Sequence, residues 1–314
     1  MSKPSIFLMG PTAAGKTDLA MALHDALPLD LISVDSSQVY RGMDIGTAKP
    51  STKELQQAPH RLIDIRDPAT PYSAAEFIDD ANREMADIWQ HRRVPLLVGG
   101  TIFYFHSLEH GLATLPSADP EVREQLLQEA ESIGWPAMHA RLARHDPESA
   151  ARIHPNDAQR IQRALEVVEV TGKGVTEVSR ELPARGMSQP PIKLALMPAD
   201  REALRERIAQ RFHKMLEEGL IEEVEALYRR GDLNPQLPAI RMVGYRQVWD
   251  YLDGKIDYNQ MVEKGITATR QLAKRQLTWL RSYEGVETLI DTDPALIDKS
   301  LEFLKGKLST FGVY

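Results

Sequence analysis

Gly10-Pro11-Thr12-Ala13-Ala14-Gly15-Lys16-Thr17 follows the apolar run Ser5–Met9 and precedes a stretch in which Leu19, Leu23 and Leu27 recur at helical spacing. Strand, glycine-rich turn and helix, in that order, form the context in which G-x-x-x-x-G-K-[ST] binds phosphate. Gly10 and Gly15 permit backbone conformations that turn successive N–H groups toward one point. The helix that begins there adds the positive end of its dipole. Lys16 supplies a mobile full charge, and the Thr17 hydroxyl can ligate Mg²⁺. The octapeptide predicts a site for two or more phosphates, but not the molecule that carries them or whether they are hydrolysed.

Working outward, Leu29–Val34, Leu62–Ile65 and Val94–Val98 read as further buried strands. Ser73 and Glu76 form a capping box ahead of a helix whose apolar face is Phe77, Ala81, Met85 and Ile88. Strands joined by helical crossovers imply a parallel sheet covered on both faces. The pattern changes after Leu112. Asp119–Pro120 opens a helix, Gly134-Trp135-Pro136 breaks it, and Asn156–Asp157 opens another that ends near Gly172. Pro183–Pro191 reads as a return linker, Ile192–Met197 as a strand rejoining the sheet, and the chain from Asp200 as mostly helical. The expected fold is α/β. A P-loop NTPase-like core with a parallel sheet spans residues 1–112 and 191–314, a helical insertion spans 113–190, and the C-terminal part is helical.

The 314 residues carry 38 basic and 45 acidic side chains, a net charge of −7, which excludes a protein that coats nucleic acid by bulk charge but leaves room for a local basic groove. The chain has no cysteine, so disulfides, thiolate metal sites and cysteine nucleophiles are excluded. No apolar run approaches the roughly 18 residues of a membrane span. The apolar run before the glycine turn is too short for a signal peptide, so a cytoplasmic protein without membrane attachment is expected.

A P-loop hydrolase usually has a second buried strand ending in an acid that organises metal and water. Here Val94-Pro95-Leu96-Leu97-Val98 ends instead in Gly99-Gly100-Thr101, and the acid closes the other run, Leu31-Ile32-Ser33-Val34-Asp35. Strand ends beside a phosphate loop face the ligand crevice. Asp35 is therefore a candidate metal-organising acid, a candidate general base, or a strand-terminating cap. Arg207, Arg211 and Lys214 form a basic stripe that is either functional or a solvated helix face. Arg152, His154, Arg160 and Arg163 cluster, and Arg270, Lys274 and Arg281 share a stripe within an acid-free stretch. Both patterns suit a phosphate backbone, and both also suit a solubilising surface. Asn156, Gln159 and Gln162 are candidates to read base edges in single-stranded RNA. Tyr40, Phe103, Tyr104 and Phe105 are candidate channel aromatics or ordinary core.

The phosphate loop together with Asp35-Ser-Ser-Gln-Val-Tyr-Arg-Gly-Met-Asp-Ile-Gly-Thr-Ala-Lys-Pro50 resembles the tRNA dimethylallyltransferase (tRNA isopentenyltransferase) family, bacterial type. His60-Arg-Leu-Ile-Asp64, Leu97–Thr101, His154–Asp157, Gln159–Arg163, Val243–Gln247 and Thr269–Gln276 extend the resemblance over nearly the whole chain. It implies transfer of a dimethylallyl group from dimethylallyl diphosphate to the exocyclic amine of the adenosine 3′-adjacent to the anticodon. Mg²⁺ on Thr17 is the expected cofactor, and a monomer is the expected state, although the sequence does not fix it. By this resemblance Asp35 is the base-like aspartate and Thr101 lies near the bridging oxygen. Lys16 and the rest of Gly10–Thr17 hold the diphosphate. Arg211, with Arg207 as the other candidate, adds a diphosphate-binding arginine. The implied tRNA contacts are Asp35, Ser36, Ser37, Gln38 and Arg123, then Gln159, Arg160, Ile161, Gln162 and Arg163. They continue with Ile240, Arg241, Met242, Val243, Gly244 and Tyr245, and with Ala273, Lys274, Arg275, Gln276, Leu277, Thr278, Trp279 and Leu280. The chain departs from the family at Ile102–Leu108, where a Leu-Tyr pair and then an Ala-Leu pair are usual; the cysteine-based zinc finger of eukaryotic members is absent. The residues without the resemblance also admit a small-molecule kinase using ATP, a non-catalytic RNA-binding protein, or an adenylate prenyltransferase.

Overall fold

The computed structural model describes residues 3–113, 115–116 and 119–312. Residues 1–2 of the segment read for a leader, and residues 114, 117 and 118 of the expected insertion, lie outside them. The chain divides into two compact units, residues 1–109 with 188–314, and residues 110–187.

The first unit is built on six strands: β1 (Ile6–Met9), β2 (Leu29–Val34), β3 (His60–Arg61), β4 (Val94–Gly99), β5 (Ile192–Met197) and β6 (Val286–Ile290). All pair in parallel, in the order β3-β2-β4-β1-β5-β6. The central strands are apolar without alternation because helices cover both faces; Ile6, Phe7, Leu8 and Met9 are fully buried. Helix Lys16–Ala26 buries Leu19, Ala20 and Leu23. Helix Ala74–Gln90 buries Phe77, Ala81, Met85 and Ile88, and Ser73 and Glu76 make the capping box reciprocally.

Register places the chemistry. Met9 and Val34 both pair with Gly99, so β1, β2 and β4 end in line. Gly10, Asp35 and Gly100 consequently emerge together at the carboxyl edge of the sheet, where open α/β folds bind ligands. A Cβ on Gly99 would lie 2.0 Å from the Val34 carbonyl oxygen, so only glycine allows this approach.

Two strands differ from the sequence expectation. The run Leu62–Ile65 is not a strand, because Leu62 (φ 64) and Asp64 (φ 57) adopt left-handed conformations that end pairing; β3 is instead the preceding His60–Arg61. Within the C-terminal part, expected to be mostly helical, Val286–Ile290 adds the edge strand β6. Leu289 is its one buried residue, so it carries little apolar signal.

The second unit is helical: Pro120–Ile133, Trp135–His145, Pro147–Arg152, Ala158–Thr171 and Val175–Glu181. Asp119 caps the first helix with Pro120 behind it, Asp157 caps the fourth, and Gly172 ends that helix in the left-handed region. Leu126, Met138, Leu142, Ile161 and Leu165 form its core. Asp146 serves two helices at once. It accepts the Ser149 N–H at 3.0 Å, the Thr176 N–H at 3.0 Å and the Thr176 hydroxyl at 2.8 Å. Burial alone would raise its carboxyl, but these donors hold it down to about 2.

Candidate active site

The line of strand ends opens into a cavity of about 1520 Å³ lined by Thr12–Asp18, Asp35–Gln38, Asp44–Leu55, Gly99–Phe103 and residues of the later helices, including Arg211 and Gln276. That exceeds the 300–1,000 Å³ typical of a small-ligand pocket, so there is room for a diphosphate and a second reactant.

At its floor, Gly15 (φ 85) caps helix Lys16–Ala26 from the left-handed region, and Ala13 (φ 62) shares that conformation at a steric cost. The loop presents backbone N–H groups at a helix N-terminus, which favours anions. Lys16 Nζ donates to the Pro11 carbonyl at 2.7 Å. Burial pushes its ammonium down to about 8, with Asp35 opposing the shift and Arg211 adding to it. Arg211 is likewise lowered by burial, against the pull of Asp35. The three charges therefore act on one another within one site, and the geometry separates the two candidate arginines. Arg211 lines the cavity, whereas Arg207 is ion-paired with the buried Asp291 and does not.

Asp35 follows β2 directly. Its Oδ1 accepts the Ser37 N–H at 2.8 Å and the Ser37 hydroxyl, which fixes the carboxylate and leaves Oδ2 for a ligand. Thr101 Oγ1 accepts the Ser36 N–H at 3.0 Å, tying the turn after β4 to the turn after β2. Gln38 accepts the Ser33 hydroxyl at 2.9 Å and donates to the Ala48 carbonyl at 3.3 Å.

Helix Tyr258–Arg281 closes the site from the other side. Gln276 Oε1 accepts the Thr12 N–H at 2.9 Å, and Gln276 Nε2 donates to the Gly100 carbonyl at 2.8 Å. Lys274, Arg275, Thr278 and Trp279 on this helix are exposed, while Ala273, Leu277 and Leu280 are buried. In the preceding segment Arg241 is exposed, Met242 and Val243 are partly so, and Ile240, Gly244 and Tyr245 are buried. Of the four channel aromatics considered from sequence, Phe103 lines the cavity and is 48% exposed, and it meets Trp279 edge to face. Tyr40 is buried, Tyr104 stacks on Phe77, and Phe105 packs on Phe7.

The remaining candidates belong to the helical unit. The buried Glu166 accepts from Arg123 Nε at 2.7 Å and from Arg163 at 3.1 Å, and so aligns two guanidinium groups. Arg163 also donates to the Pro116 carbonyl at 2.6 Å. Gln159 and Arg160 are exposed, Arg160 pairing with Asp157; Gln162 donates to the Arg123 carbonyl at 3.2 Å; and Ile161 is buried in the core. Sequence reasoning missed the bridging amide of Gln276 and the buried Glu166. The partners of Gln276 lie far away along the chain, and Glu166, although three residues after Arg163, takes its other arginine, Arg123, from 43 positions away.

Among the described residues no cluster of three acidic or histidine side chains could cage a metal ion, and no helix is long and apolar enough to cross a membrane. A hard cation here would be held by the Thr17 hydroxyl and by oxygens of its own ligand, an arrangement that suits Mg²⁺.

A family model described as IPP transferase matches residues 38–283. A tRNA dimethylallyltransferase of Thioalkalivibrio sulfidiphilus is 62% identical over 299 residues, which is 95% of this chain and 93% of that one. The solved full-length tRNA isopentenylpyrophosphate transferase of Bacillus halodurans is 36% identical with a TM-score of 0.72, covering 98% of both chains. A eukaryotic dimethylallyltransferase solved acting on tRNA is 27% identical with a TM-score of 0.77, over 95% of this chain and 76% of that one.

Proposed function

This chain belongs to the IPP transferase family and is an enzyme that prenylates tRNA, and we propose that its donor is dimethylallyl diphosphate and its acceptor the exocyclic amine of the adenosine 3′-adjacent to the anticodon. The observation that carries this reading is that Lys16, Asp35, Thr101 and Arg211 line one cavity at the carboxyl edge of the sheet.

Alkyl transfer from an allylic diphosphate breaks the bond between carbon and the bridging oxygen and forms a carbon–nitrogen bond. Negative charge grows on the leaving diphosphate. The amides of Gly10–Thr17, the Lys16 ammonium and the Arg211 guanidinium are already arranged to receive it. Thr101 donates its hydroxyl proton toward the bridging oxygen. Asp35 Oδ2 accepts a hydrogen bond from the adenine amine, orients its lone pair, and takes the proton released as nitrogen becomes bonded to carbon. Bound at Thr17, Mg²⁺ would supply further neutralisation of the diphosphate. The base must leave its stack to reach this depth. Phe103 and Trp279 stand exposed at the cavity, and Arg241, Lys274 and Arg275 give the nearby surface positive charge for the RNA backbone. Arg123, Gln159, Arg160 and Arg163, on the helical unit, are taken as further tRNA contacts. A tRNA substrate supports a cytoplasmic location, and we take the enzyme to act as a monomer.

Incubation with Mg²⁺, labelled dimethylallyl diphosphate and either tRNA or AMP tests the reading. Label in the tRNA adenosine and release of one diphosphate per transfer are expected. Label in AMP instead of tRNA, or phosphoryl transfer from ATP, would overturn it.

A further inference from the structure

Asp44, Ile45 and Gly46 line the cavity, and their three consecutive backbone N–H groups converge on one side chain. Glu223 Oε2 accepts from Asp44 and Ile45 at 2.8 Å each, and Glu223 Oε1 accepts from Gly46 at 3.1 Å. The hydroxyl of the buried Tyr245 donates to the same Oε1. The Tyr245 ring also fills the place of a side chain at position 46, since a Cβ there would sit 2.5 Å from Tyr245 Cε2. Four donors thus meet one carboxylate, which suits two oxygens of full negative character and no donor of their own.

The segment held in this way is tied to the catalytic edge. Lys49, nearly buried, donates to the Tyr40 carbonyl at 3.0 Å and to Asp64 at 2.6 Å, which fixes the far end. Between the two anchors, the Ala48 carbonyl receives the Gln38 amide, and Gln38 is hydrogen-bonded in turn to Ser33 on β2, the strand that ends at Asp35. Asp44–Lys49 therefore forms one wall of the cavity beside Asp35–Gln38, and that wall is set from outside by helix Leu220–Tyr228. The phosphate loop takes no part in this network.

We propose that Glu223, assisted by Tyr245, is a positioning residue that locks the acceptor wall of the cavity and so governs binding and orientation of the RNA base, independently of the donor cradle. This rests on the prenyl-transfer reading of the cavity. It also gives Tyr245 an internal task in place of a direct RNA contact, in keeping with its burial.

The test uses the full chain as wild type, Glu223→Ala, Glu223→Gln and Tyr245→Phe, with an anticodon stem-loop RNA and dimethylallyl diphosphate varied separately. Glu223→Ala and Glu223→Gln should raise the KM for RNA by about tenfold or more while the KM for the donor stays within about twofold, as expected when anchoring bonds to one wall are lost. Glutamine should fail to rescue because its NH₂ would oppose a backbone N–H. Tyr245→Phe, which keeps the ring against Gly46, should give a smaller change of the same kind. Hydrogen exchange at the amides of residues 44–46 should speed up in Glu223→Gln. A wild-type KM for RNA in Glu223→Gln, or equal losses for both substrates, would overturn the proposal. Unchanged exchange at residues 44–46 would overturn it too, and this readout stands even if wild type itself fails to prenylate RNA, an outcome that would overturn the functional reading instead. Should Glu223→Ala fail to fold, the two near-isosteric variants decide.

Discussion

The Gln276 side chain accepts the backbone N–H of Thr12 at 2.9 Å, although 264 positions separate them in sequence. Its other arm donates to Gly100 at 2.8 Å, so one amide spans the phosphate loop and the turn that carries Thr101. Gln276→Leu removes both bonds with little change of volume. The cradle for the leaving group and the Thr101 hydroxyl should then lose their mutual alignment. We expect kcat to fall about tenfold, equivalent to ~1.4 kcal/mol of transition-state stabilisation, with RNA affinity within a factor of two. A raised KM for RNA at normal kcat would instead place Gln276 in direct contact with the nucleic acid.

Asp35 is held by Ser37 on one oxygen and offers the other to the acceptor amine. Asp35→Asn keeps the shape but cannot take a proton. Turnover should fall by about 10²–10⁴, the usual range for a positioned base, while RNA binding measured without donor changes little. Full turnover in Asp35→Asn would remove the base from the mechanism.

Lys16 gives a pH signature. Its folded pKa, depressed to about 8, lies below the ordinary 10.5, so the unfolded chain holds more protons between those values. Burial of Lys16 thus costs stability at neutral pH, and the cost recedes as pH rises from about 8 toward 10.5. Donor capture runs the opposite way: kcat/KM for the diphosphate should decline above about pH 8 as the ammonium is lost. A bound diphosphate holds the proton on, so kcat should decline at higher pH than kcat/KM. In Lys16→Arg the alkaline limb should disappear; its persistence would assign the limb to another group.

Arg211 and Arg207 stand one helical turn apart with different partners. Arg211→Ala should raise the KM for dimethylallyl diphosphate by about tenfold or more, on the scale of a lost charge-assisted contact, without lowering the melting temperature, because it removes a buried cation. Arg207→Ala should do the reverse. It strips the buried Asp291 of its ion-pair partner, destabilises the fold by ~1–3 kcal/mol, and leaves the donor KM unchanged. Urea melts and donor titrations of both variants distinguish the two arginines.

Asp146 should matter for stability alone. Asp146→Ala removes the cap of two helices in the helical unit, at about 1 kcal/mol per cap, and should lower the urea midpoint. The folded pKa of about 2 lies below the ordinary 3.8, so the carboxylate stabilises above about pH 4 and that stabilisation is lost as pH falls toward 2. An acid-unfolding curve that is the same for wild type and Asp146→Ala would contradict this.

Much of the architecture could be read from local signals. Buried strands gave apolar runs, helix starts gave Ser73 with Glu76 and Asp119 with Pro120, and the phosphate loop announced itself between strand and helix. Leu62–Ile65 was misleading because left-handed turns at Leu62 and Asp64 leave no apolar trace. Val286–Ile290 was invisible because an edge strand that buries only Leu289 needs little hydrophobicity. In the site, Lys16, Asp35 and Thr101 could be placed because each closes a strand or opens a helix. Glu223 could not, since a carboxylate on an amphipathic helix looks solvated until the amides it serves are brought to it from 177 to 179 positions away. The family resemblance names Gln276 as an RNA contact, and its bridge between Thr12 and Gly100 leaves no local signal.

That long reach of Glu223 and Gln276 orders events on the ribosome. The phosphate loop and Asp35 emerge early in translation, but the side chains that align them leave the exit tunnel only after most of the polypeptide has been made. A nascent chain can therefore pair its first five strands while its catalytic cleft is still slack, and competence arrives late, as one of the last steps of biogenesis.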